Sequence, residues 1–185
     1  MKRVFDLAIT IPATILATPL LLIVGALVLL TSGWPVVIVQ DRVGANETTF
    51  RMFKFRTMKR DTPVVAKSLL DPKSNPYTPL GRVLRRWSFD ELPQLINVLL
   101  GSMSLVGPRP ALPSQTDLID MRRRASVTAL KPGLTGFAQV KGRESLTLSS
   151  KVRLERLYAR RQSLTLDARL VVATIKALSS KKGVF

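Results

Sequence analysis

No charged residue occurs between Leu7 and Gln40, and the stretch from Leu7 to Leu30 is 24 residues of mostly Leu, Ile, Val and Ala. A helix needs about 20 apolar residues to cross a bilayer. The apolar core of a cleaved signal peptide usually has only about 7–15 residues, which disfavours that interpretation. The sequence therefore predicts a membrane-inserted segment over residues 1–34 and an extramembrane domain over residues 35–185.

The flanks of this segment create a topological conflict, because Lys2 and Arg3 precede it and nearly all other Lys and Arg residues follow it. Short basic flanks stay on the cytoplasmic side, whereas a straight span puts one flank outside. Pro12 and Pro19 interrupt the segment. A break at Thr18-Pro19, with the threonine hydroxyl bonding a freed carbonyl, would return the chain to the same side. The alternative is a spanning anchor with a proline kink, and the residues alone leave both open.

Charge and composition limit the chemistry of the remaining domain. The chain has 29 Lys and Arg, 12 Asp and Glu, no His and no Cys, and residues 41–185 carry a formal charge of +16. Such a domain needs an anionic partner, which could be nucleic acid, anionic lipid or a phosphorylated substrate. Aromatic residues are sparse at 6% and no nucleic-acid-binding module is recognisable, so we expect no nucleic acid. Carboxylates, hydroxyls and lysines are the catalytic groups that remain.

Asp90 and Glu91 are the only two adjacent carboxylates in the chain. Ser88 and Glu91 have the spacing of a capping box, which predicts a helix that starts here and ends at Gly101. The free amides and dipole of a helix N-terminus favour negative charge and can bind phosphate. Acids in a first turn usually only cap the helix. Nearby arginines favour a phosphate site instead, since Arg85 lies five residues before Asp90.

A stiff loop after this helix presents a further arginine. Within the run from Leu105 to Pro110, Pro108 and Pro110 flank Arg109. A guanidinium on a rigid turn makes a good bidentate phosphate clamp. Upstream, the segment from Phe50 to Met58 alternates apolar and basic side chains, which predicts a half-buried strand with one cationic face.

Three ordered blocks in this sequence, Arg85–Leu99, Gly101–Pro110 and Lys131–Val140, closely resemble the bacterial sugar transferase family. These are monotopic phosphoglycosyl transferases, which start glycan assembly on polyprenyl phosphate, and the resemblance covers nearly the whole chain. It implies an α+β fold, mostly helical with a small β element. It also implies a re-entrant N-terminal helix–break–helix, with Thr18-Pro19 where the family has Ser-Pro, and interfacial amphipathic helices on anionic lipid.

The resemblance implies transfer of sugar-1-phosphate from a UDP-sugar to polyprenyl (undecaprenyl) phosphate, with release of UMP, on the cytoplasmic face of the inner membrane. Asp90 would be the nucleophile, Glu91 would assist, and both would hold Mg²⁺. The residues expected to contact phosphate are Lys54, Arg56, Arg85, Pro108, Arg109, Pro110 and Arg143. The donor sugar is not readable from the sequence. The oligomeric state stays open, with a homodimer as one option.

Three further helices are predicted, over residues 114–130, 149–162 and 164–178. The first carries Arg122-Arg123-Arg124 and would lie on an anionic membrane surface or form an ordinary solvated face. Tyr158, Ser163 and Asp167 match the C-terminal pattern of the family and are interpreted as structural or as part of the nucleotide pocket. The segment from Lys59 to Leu80 contains four prolines and predicts a loop that covers the substrate.

Overall fold

A computed structural model describes residues 1–63, 75–142 and 145–179. It is mostly helical with two small sheets, which confirms the predicted α+β class. The helices are α1 (Lys2–Ser32), α2 (Gly81–Arg86), α3 (Gln94–Leu100), α4 (Thr116–Arg124), α5 (Phe137–Lys141), α6 (Leu148–Arg161) and α7 (Leu164–Ser179). The strands are β1 (Val37–Val43), β2 (Thr49–Phe55), β3 (Ser104–Val106) and β4 (Gly133–Thr135). The loop prediction for residues 59–80 lies partly outside the described residues.

Helix α1 continues for 31 residues through both Pro12 and Pro19, so the predicted break at Thr18-Pro19 does not interrupt the helix. Each proline removes only one backbone donor. Thr18 Oγ1 donates to the carbonyl of Thr14 at 2.8 Å, next to the Ile15 carbonyl that Pro19 leaves without its amide donor. Such threonine back-bonding keeps the turn together and often bends it.

The two ends of α1 are the parts of it that dock on the rest of the protein. At the start, Lys2 Nζ donates to Asp167 at 2.7 Å, and the Arg3 guanidinium donates to the carbonyls of Val98 and Leu99 at the end of α3. Asp6 is buried there and accepts hydrogen bonds from β3. These polar contacts fix the beginning of α1 against α3, β3 and α7.

The far end of α1 packs by apolar contact and is closed by one arginine. Val24 and Val28 are buried with Phe55 and Leu84. The guanidinium of Arg56 donates to the carbonyls of Ser32, the last residue of α1, and of Gly33 and Trp34, which follow it. Between the two ends, none of residues 11–19 is buried. Only 11% of the most apolar 18-residue window of α1 is buried, unlike the core helix of a soluble protein.

Strands β1 and β2 form an antiparallel hairpin with Val37 opposite Phe55 and Val43 opposite Thr49, and β2 confirms the strand predicted to begin near Phe50. The second sheet pairs β3 and β4 in parallel. At its end the two backbones nearly touch, because a Cβ on Gly107 would lie 2.2 Å from the Lys131 carbonyl oxygen. Only glycine allows this approach, which directs the chain into the loop of Pro108, Arg109 and Pro110.

The C-terminal helices confirm two predictions and correct a third. Helices α6 and α7 lie where the periodicity puts them, but α4 ends at Arg124 instead of continuing to residue 130, and Ser126 has a left-handed backbone with φ of 55°. Arg122 is not on the surface. It is buried and donates to both oxygens of the Glu155 carboxylate at 2.8 and 2.6 Å.

Tyr158 and Asp167 have a structural role. The phenol of Tyr158 donates to Asp167 at 2.7 Å, and it also lies 3.2 Å from the Val106 carbonyl that accepts from it. Asp167 is fully buried and also binds Lys2 of α1. Ser163 accepts a hydrogen bond from the amide of Leu166 in the first turn of α7. These contacts join α6, α7, β3 and the start of α1.

Glu155→Gln is expected to lower the free energy of unfolding by about 3–5 kcal/mol, because it leaves the buried Arg122 cation without its counter-charge. The matched control is Glu47→Gln, which breaks the ion pair of Glu47 with the exposed Arg123 side chain and should leave the transition unchanged. Denaturant unfolding of both variants in detergent would measure the difference. Equal effects would contradict the importance assigned to the buried pair.

Candidate active site

The two adjacent carboxylates lie in a 3₁₀ turn from Phe89 to Glu91, not in the first turn of an α-helix. Ser88 has a left-handed backbone, with φ of 56° and ψ of 23°, and makes no side-chain cap. Helix α3 begins only at Gln94, after Pro93. The predicted capping box is therefore wrong, because the side chain of Glu91 turns toward two cations instead of toward Ser88. The predicted helix end at Gly101 is confirmed.

Glu91 joins three separate parts of the chain. Its Oε1 accepts hydrogen bonds from Lys54 Nζ at 3.1 Å and from Arg109 Nη2 at 3.0 Å. Lys54 is on β2 and Arg109 is on the loop after β3, so both predicted phosphate contacts lie at the dyad. Burial lowers the pKa of Lys54, while the negative charge of Glu91 acts in the opposite direction. The side chains of Lys54 and Glu91 are each only 13% exposed.

Asp90 is buried, with 5% of its surface exposed, and makes no hydrogen bond to any other residue in the described part of the chain. Burial raises the pKa of Asp90 from 3.8 to about 6, and the neighbouring charge of Glu91 adds to this effect. Lys54, Arg85 and Arg109 oppose the rise. Asp90 is therefore an ionised but poorly solvated carboxylate at neutral pH, which suits a nucleophile.

Arg85 acts on Asp90 through its charge and is held by other groups. Its Nε donates to Thr57 Oγ1 at 2.9 Å, and its guanidinium carbon lies 5.4 Å from the ring centroid of Tyr77. Stacking on an aromatic face and bonding to a hydroxyl fix the direction of the side chain. Because its charge acts on Asp90, Arg85 lies near the dyad, as the sequence predicts.

Two other predicted phosphate contacts have different outcomes. Arg56 donates to the carbonyls of Ser32, Gly33 and Trp34 and so holds the end of α1, while its predicted contact with phosphate stays a prediction. The alternation of apolar and basic residues from Phe50 to Met58 identified Arg56 as a basic residue of this segment. It could not predict that the partner of Arg56 would be the end of α1. Arg143 lies outside the described residues, and its role remains a prediction.

The loop of Pro108, Arg109 and Pro110 is fastened by its own carbonyls. The Pro108 carbonyl accepts from the Gly133 amide at 2.8 Å, and the Arg109 carbonyl accepts from Arg122 Nη2 at 2.9 Å. The Pro110 carbonyl accepts from the guanidinium of Arg42 on β1. Three different elements therefore hold the backbone of Arg109 and its two neighbours, and this is the physical basis of the stiffness that the prolines predict.

Arg42 on β1 is the site residue that the sequence reasoning missed. Its Nη1 donates to the Pro110 carbonyl at 3.3 Å, and its Nη2 donates to Gln40 Oε1 at 3.0 Å. Burial lowers the pKa of Arg42 to about 10, as do Arg109 and Arg85, while Glu91 raises it. An arginine on the same strand face as Gln40 was visible in the sequence, but nothing local connects it with a loop 68 residues away.

The dyad is compatible with a magnesium ion that takes its other ligands from substrate. Among the described residues, no group of three or more His, Cys, Asp or Glu side chains could hold a metal. Mg²⁺ is usually bound by one or two carboxylates together with substrate phosphates and water. Asp90, buried and without a hydrogen-bond partner in the described chain, is the better placed of the two carboxylates for such an ion.

A buried carboxylate pair among cations, beside a helix apolar enough to enter a bilayer, is typical of a membrane-associated enzyme that handles phosphate groups. A family model described as bacterial sugar transferase matches residues 1–181. The chain belongs to this family of transferases.

Known relatives match over nearly the full chain. The uncharacterized sugar transferase EpsL of Bacillus subtilis is 37% identical, over 100% of this chain and 90% of the relative. The exopolysaccharide production protein ExoY of Sinorhizobium fredii is 36% identical, over 98% and 87%. The UDP-glucose:undecaprenyl-phosphate glucose-1-phosphate transferase of Caulobacter vibrioides is 38% identical, over 96% and 69%.

Asp90→Asn is expected to increase the free energy of unfolding at pH 7.5 by up to about 3 kcal/mol, because it removes a desolvated charge. The folded state raises this pKa, so it binds the proton more tightly than the unfolded chain does. The destabilisation is absent below about pH 4 and complete above about pH 6, so the gain should be smaller at pH 5. Denaturant unfolding at both pH values measures it.

The matched variant is Glu91→Gln, for which the opposite sign is expected. Removing this charge leaves Lys54 buried without its hydrogen-bonded carboxylate, which should cost about 3–5 kcal/mol. If both substitutions destabilised the protein equally, Asp90 would not be the unpaired carboxylate described above.

Proposed function

We propose that the protein transfers sugar-1-phosphate from a UDP-sugar to polyprenyl phosphate and releases UMP, as the first membrane step of glycan or exopolysaccharide assembly. The observation that carries this proposal is the buried Asp90 beside Glu91, surrounded by Lys54, Arg85 and Arg109. The names of the relatives supply the classes of donor and acceptor. UDP as the carrier and undecaprenyl phosphate as the acceptor are taken from those relatives.

In the first step, an Asp90 oxygen attacks the phosphorus that carries the sugar. The bond from that phosphorus to the bridging oxygen breaks, its electron pair stays on UMP, and a phosphosugar ester of Asp90 forms. A carboxylate that approaches a phosphate at 4 Å meets a repulsion of about 4 kcal/mol at an effective dielectric of 20. Lys54, Arg85 and Arg109 oppose that repulsion in a site where burial strengthens their charges.

In the second step, a phosphate oxygen of the lipid attacks the same phosphorus and the ester bond to Asp90 breaks. The electron pair returns to the carboxylate, and the lipid leaves as a diphosphate-linked sugar. Glu91 is the group that positions the acceptor, because its contacts with Lys54 and Arg109 hold both cations beside the transferred phosphate. We also propose Mg²⁺ at Asp90 and Glu91, where the ion would neutralise diphosphate charge.

The contacts of α1 support a re-entrant membrane segment rather than a span. A straight helix of 31 residues is about 46 Å long, longer than the roughly 30 Å hydrocarbon core. Yet Lys2 and Arg3 at one end, and Ser32 at the other, bind the same extramembrane body. Both ends therefore belong on one side, and the basic charge of that body favours the cytoplasmic face of the inner membrane.

Exposed apolar side chains near the two ends of α1 support the proposal that the protein contacts a bilayer there. Trp34 is 72% exposed, Leu100 is 70% exposed, and Ile96, one turn before Leu100 on α3, is 44% exposed. Tryptophan and leucine at such positions suit the membrane interface. Anionic head groups would complement the basic chain. The active site then lies at the boundary between the soluble donor and the lipid acceptor.

The test of function uses the full chain in liposomes that contain undecaprenyl phosphate, with Mg²⁺ and a panel of UDP-sugars. We expect lipid-dependent UMP release with at least one donor, and a rate that rises with pH as Asp90 ionises around pH 6. The rate of UMP release by Asp90→Asn protein should be lower than that of the wild type by more than about 10³-fold. Without the lipid, intact-mass measurement should show one sugar phosphate added to the wild type and none added to Asp90→Asn.

Two outcomes would contradict separate parts of this scheme. Asp90→Asn protein that turned over at a near-normal rate would exclude the covalent step. No UMP release with any UDP-sugar would contradict the donor class.

The topology is testable because the chain has no native cysteine. In Val4→Cys and Lys59→Cys proteins we expect labelling by an impermeant maleimide in inside-out vesicles only, because both positions belong on the cytoplasmic side. Leu16→Cys, near the middle of α1 and 81% exposed, should remain unlabelled in either orientation. Labelling of Val4→Cys from the outside, with Lys59→Cys labelled from the inside, would establish a spanning helix.

A further inference from the structure

Arg42 has hydrogen-bonding capacity that the described residues leave unused. Its side chain is half-buried, and its Nη1 and Nη2 donate to Pro110 and Gln40. Its Nε is buried and has no hydrogen-bond partner within the part of the chain that the structure describes. Leaving a donor of a cationic group unsatisfied is costly. The described residues therefore satisfy only part of the hydrogen-bonding capacity of the Arg42 guanidinium.

Charge around the dyad is also out of balance. In the described chain, Lys54, Arg85, Arg109 and Arg42 interact electrostatically with the dyad or with one another. Within the described residues, four cations therefore face the two carboxylates Asp90 and Glu91, which leaves the protein side of the site net positive. The diphosphate of a nucleoside diphosphate sugar is negatively charged and would supply the anion that these cations face.

The position of Arg42 indicates which phosphate it meets. Arg42 Nη1 donates to the carbonyl of Pro110, and the residue before it, Arg109, donates to Glu91 Oε1. Arg42 interacts electrostatically with Arg109, Glu91 and Arg85, but it is not among the charges that act on Asp90. Arg42 therefore lies on the Glu91 side of the dyad. The phosphate attacked by Asp90 carries the sugar, so the phosphate on the far side belongs to the departing nucleotide.

We propose that Arg42 binds the phosphate of the departing nucleotide and stabilises the charge that develops on it. This inference rests on the proposed function. When the bond from the sugar-bearing phosphorus to the bridging oxygen breaks, the electron pair stays on that oxygen and the nucleotide phosphate gains negative charge. The guanidinium of Arg42 faces that charge. It is held in place because the backbone of Arg42 is paired in the β1–β2 hairpin and its Nη1 donates to the Pro110 carbonyl. No proton transfer is required.

The proposal separates the two half-reactions. In Arg42→Gln protein, formation of the phosphosugar–enzyme and the accompanying UMP release should slow by about 10²-fold. Transfer from the preloaded enzyme to undecaprenyl phosphate involves no nucleotide and should keep its rate. Arg42→Lys should recover part of the loss, because it restores the charge but not the planar guanidinium. The control is Arg51→Gln, an exposed arginine on the neighbouring strand β2, which should leave both half-reactions unchanged.

A merely structural role gives a different result. If Arg42 only held the Pro110 carbonyl, its loss would loosen the loop and displace Arg109 from Glu91. Both half-reactions would then slow together, because Arg109 lies beside the phosphate that is transferred in each of them. Equal losses in the two half-reactions would therefore overturn the proposal.

Nucleotide binding tests Arg42 without turnover. Calorimetric titration of the full-length chain in detergent with UDP should show affinity about tenfold lower or weaker still for Arg42→Gln than for wild type or Arg51→Gln. Equal UDP affinity of Arg42→Gln and wild type, or no UDP binding by the wild type, overturns the proposal. Wild-type protein that binds UDP in an Arg42-dependent way but releases no UMP from any UDP-sugar would instead contradict the proposed transfer reaction.

Discussion

The organisation of the site depends on one shared oxygen, Glu91 Oε1, which accepts from both Lys54 and Arg109. Through it the β1–β2 hairpin, the 3₁₀ turn and the loop after β3 are held at one point. Because Glu91 takes these two cations as direct partners, the adjacent Asp90 stays buried without a hydrogen bond to another described residue. Two carboxylates next to each other in sequence thus acquire different properties. Glu91 is the counter-ion of two cations, and Asp90 has a pKa that burial raises to about 6.

Arginine performs most of the remaining structural work, and it does so by binding carbonyls. Arg3 binds the end of α3, Arg56 binds the end of α1, and Arg122 binds the Arg109 carbonyl. The last four carbonyls of a helix lack intrahelical partners, so a guanidinium there satisfies groups that would otherwise need water. The strongly basic composition therefore does not simply describe an anion-binding surface. Part of that charge fixes α1 and the loop of Pro108, Arg109 and Pro110 to the same body.

Local patterns predicted much of this protein. The apolar N-terminal helix, strand β2, the two C-terminal helices and the end of α3 at Gly101 follow from hydropathy, periodicity and glycine, which act over a few residues. The capping box at Ser88 was wrong, since a left-handed backbone there points Glu91 away from the turn and toward Lys54. Helix α4 is shorter than its pattern, and its Arg122 is buried on Glu155, because packing against α6 outweighs a locally amphipathic sequence.

By itself the sequence determined that a long uncharged segment must leave water, that one pair of adjacent carboxylates exists, and that arginines surround it along the chain. These follow from residue identity and spacing. Only the tertiary structure decided that Arg56 closes α1, that Arg42 reaches the Pro110 loop and that both ends of α1 meet one body. Every arginine carries the same guanidinium, so its role is set by the partner that long-range folding brings to it and by how far water is excluded there.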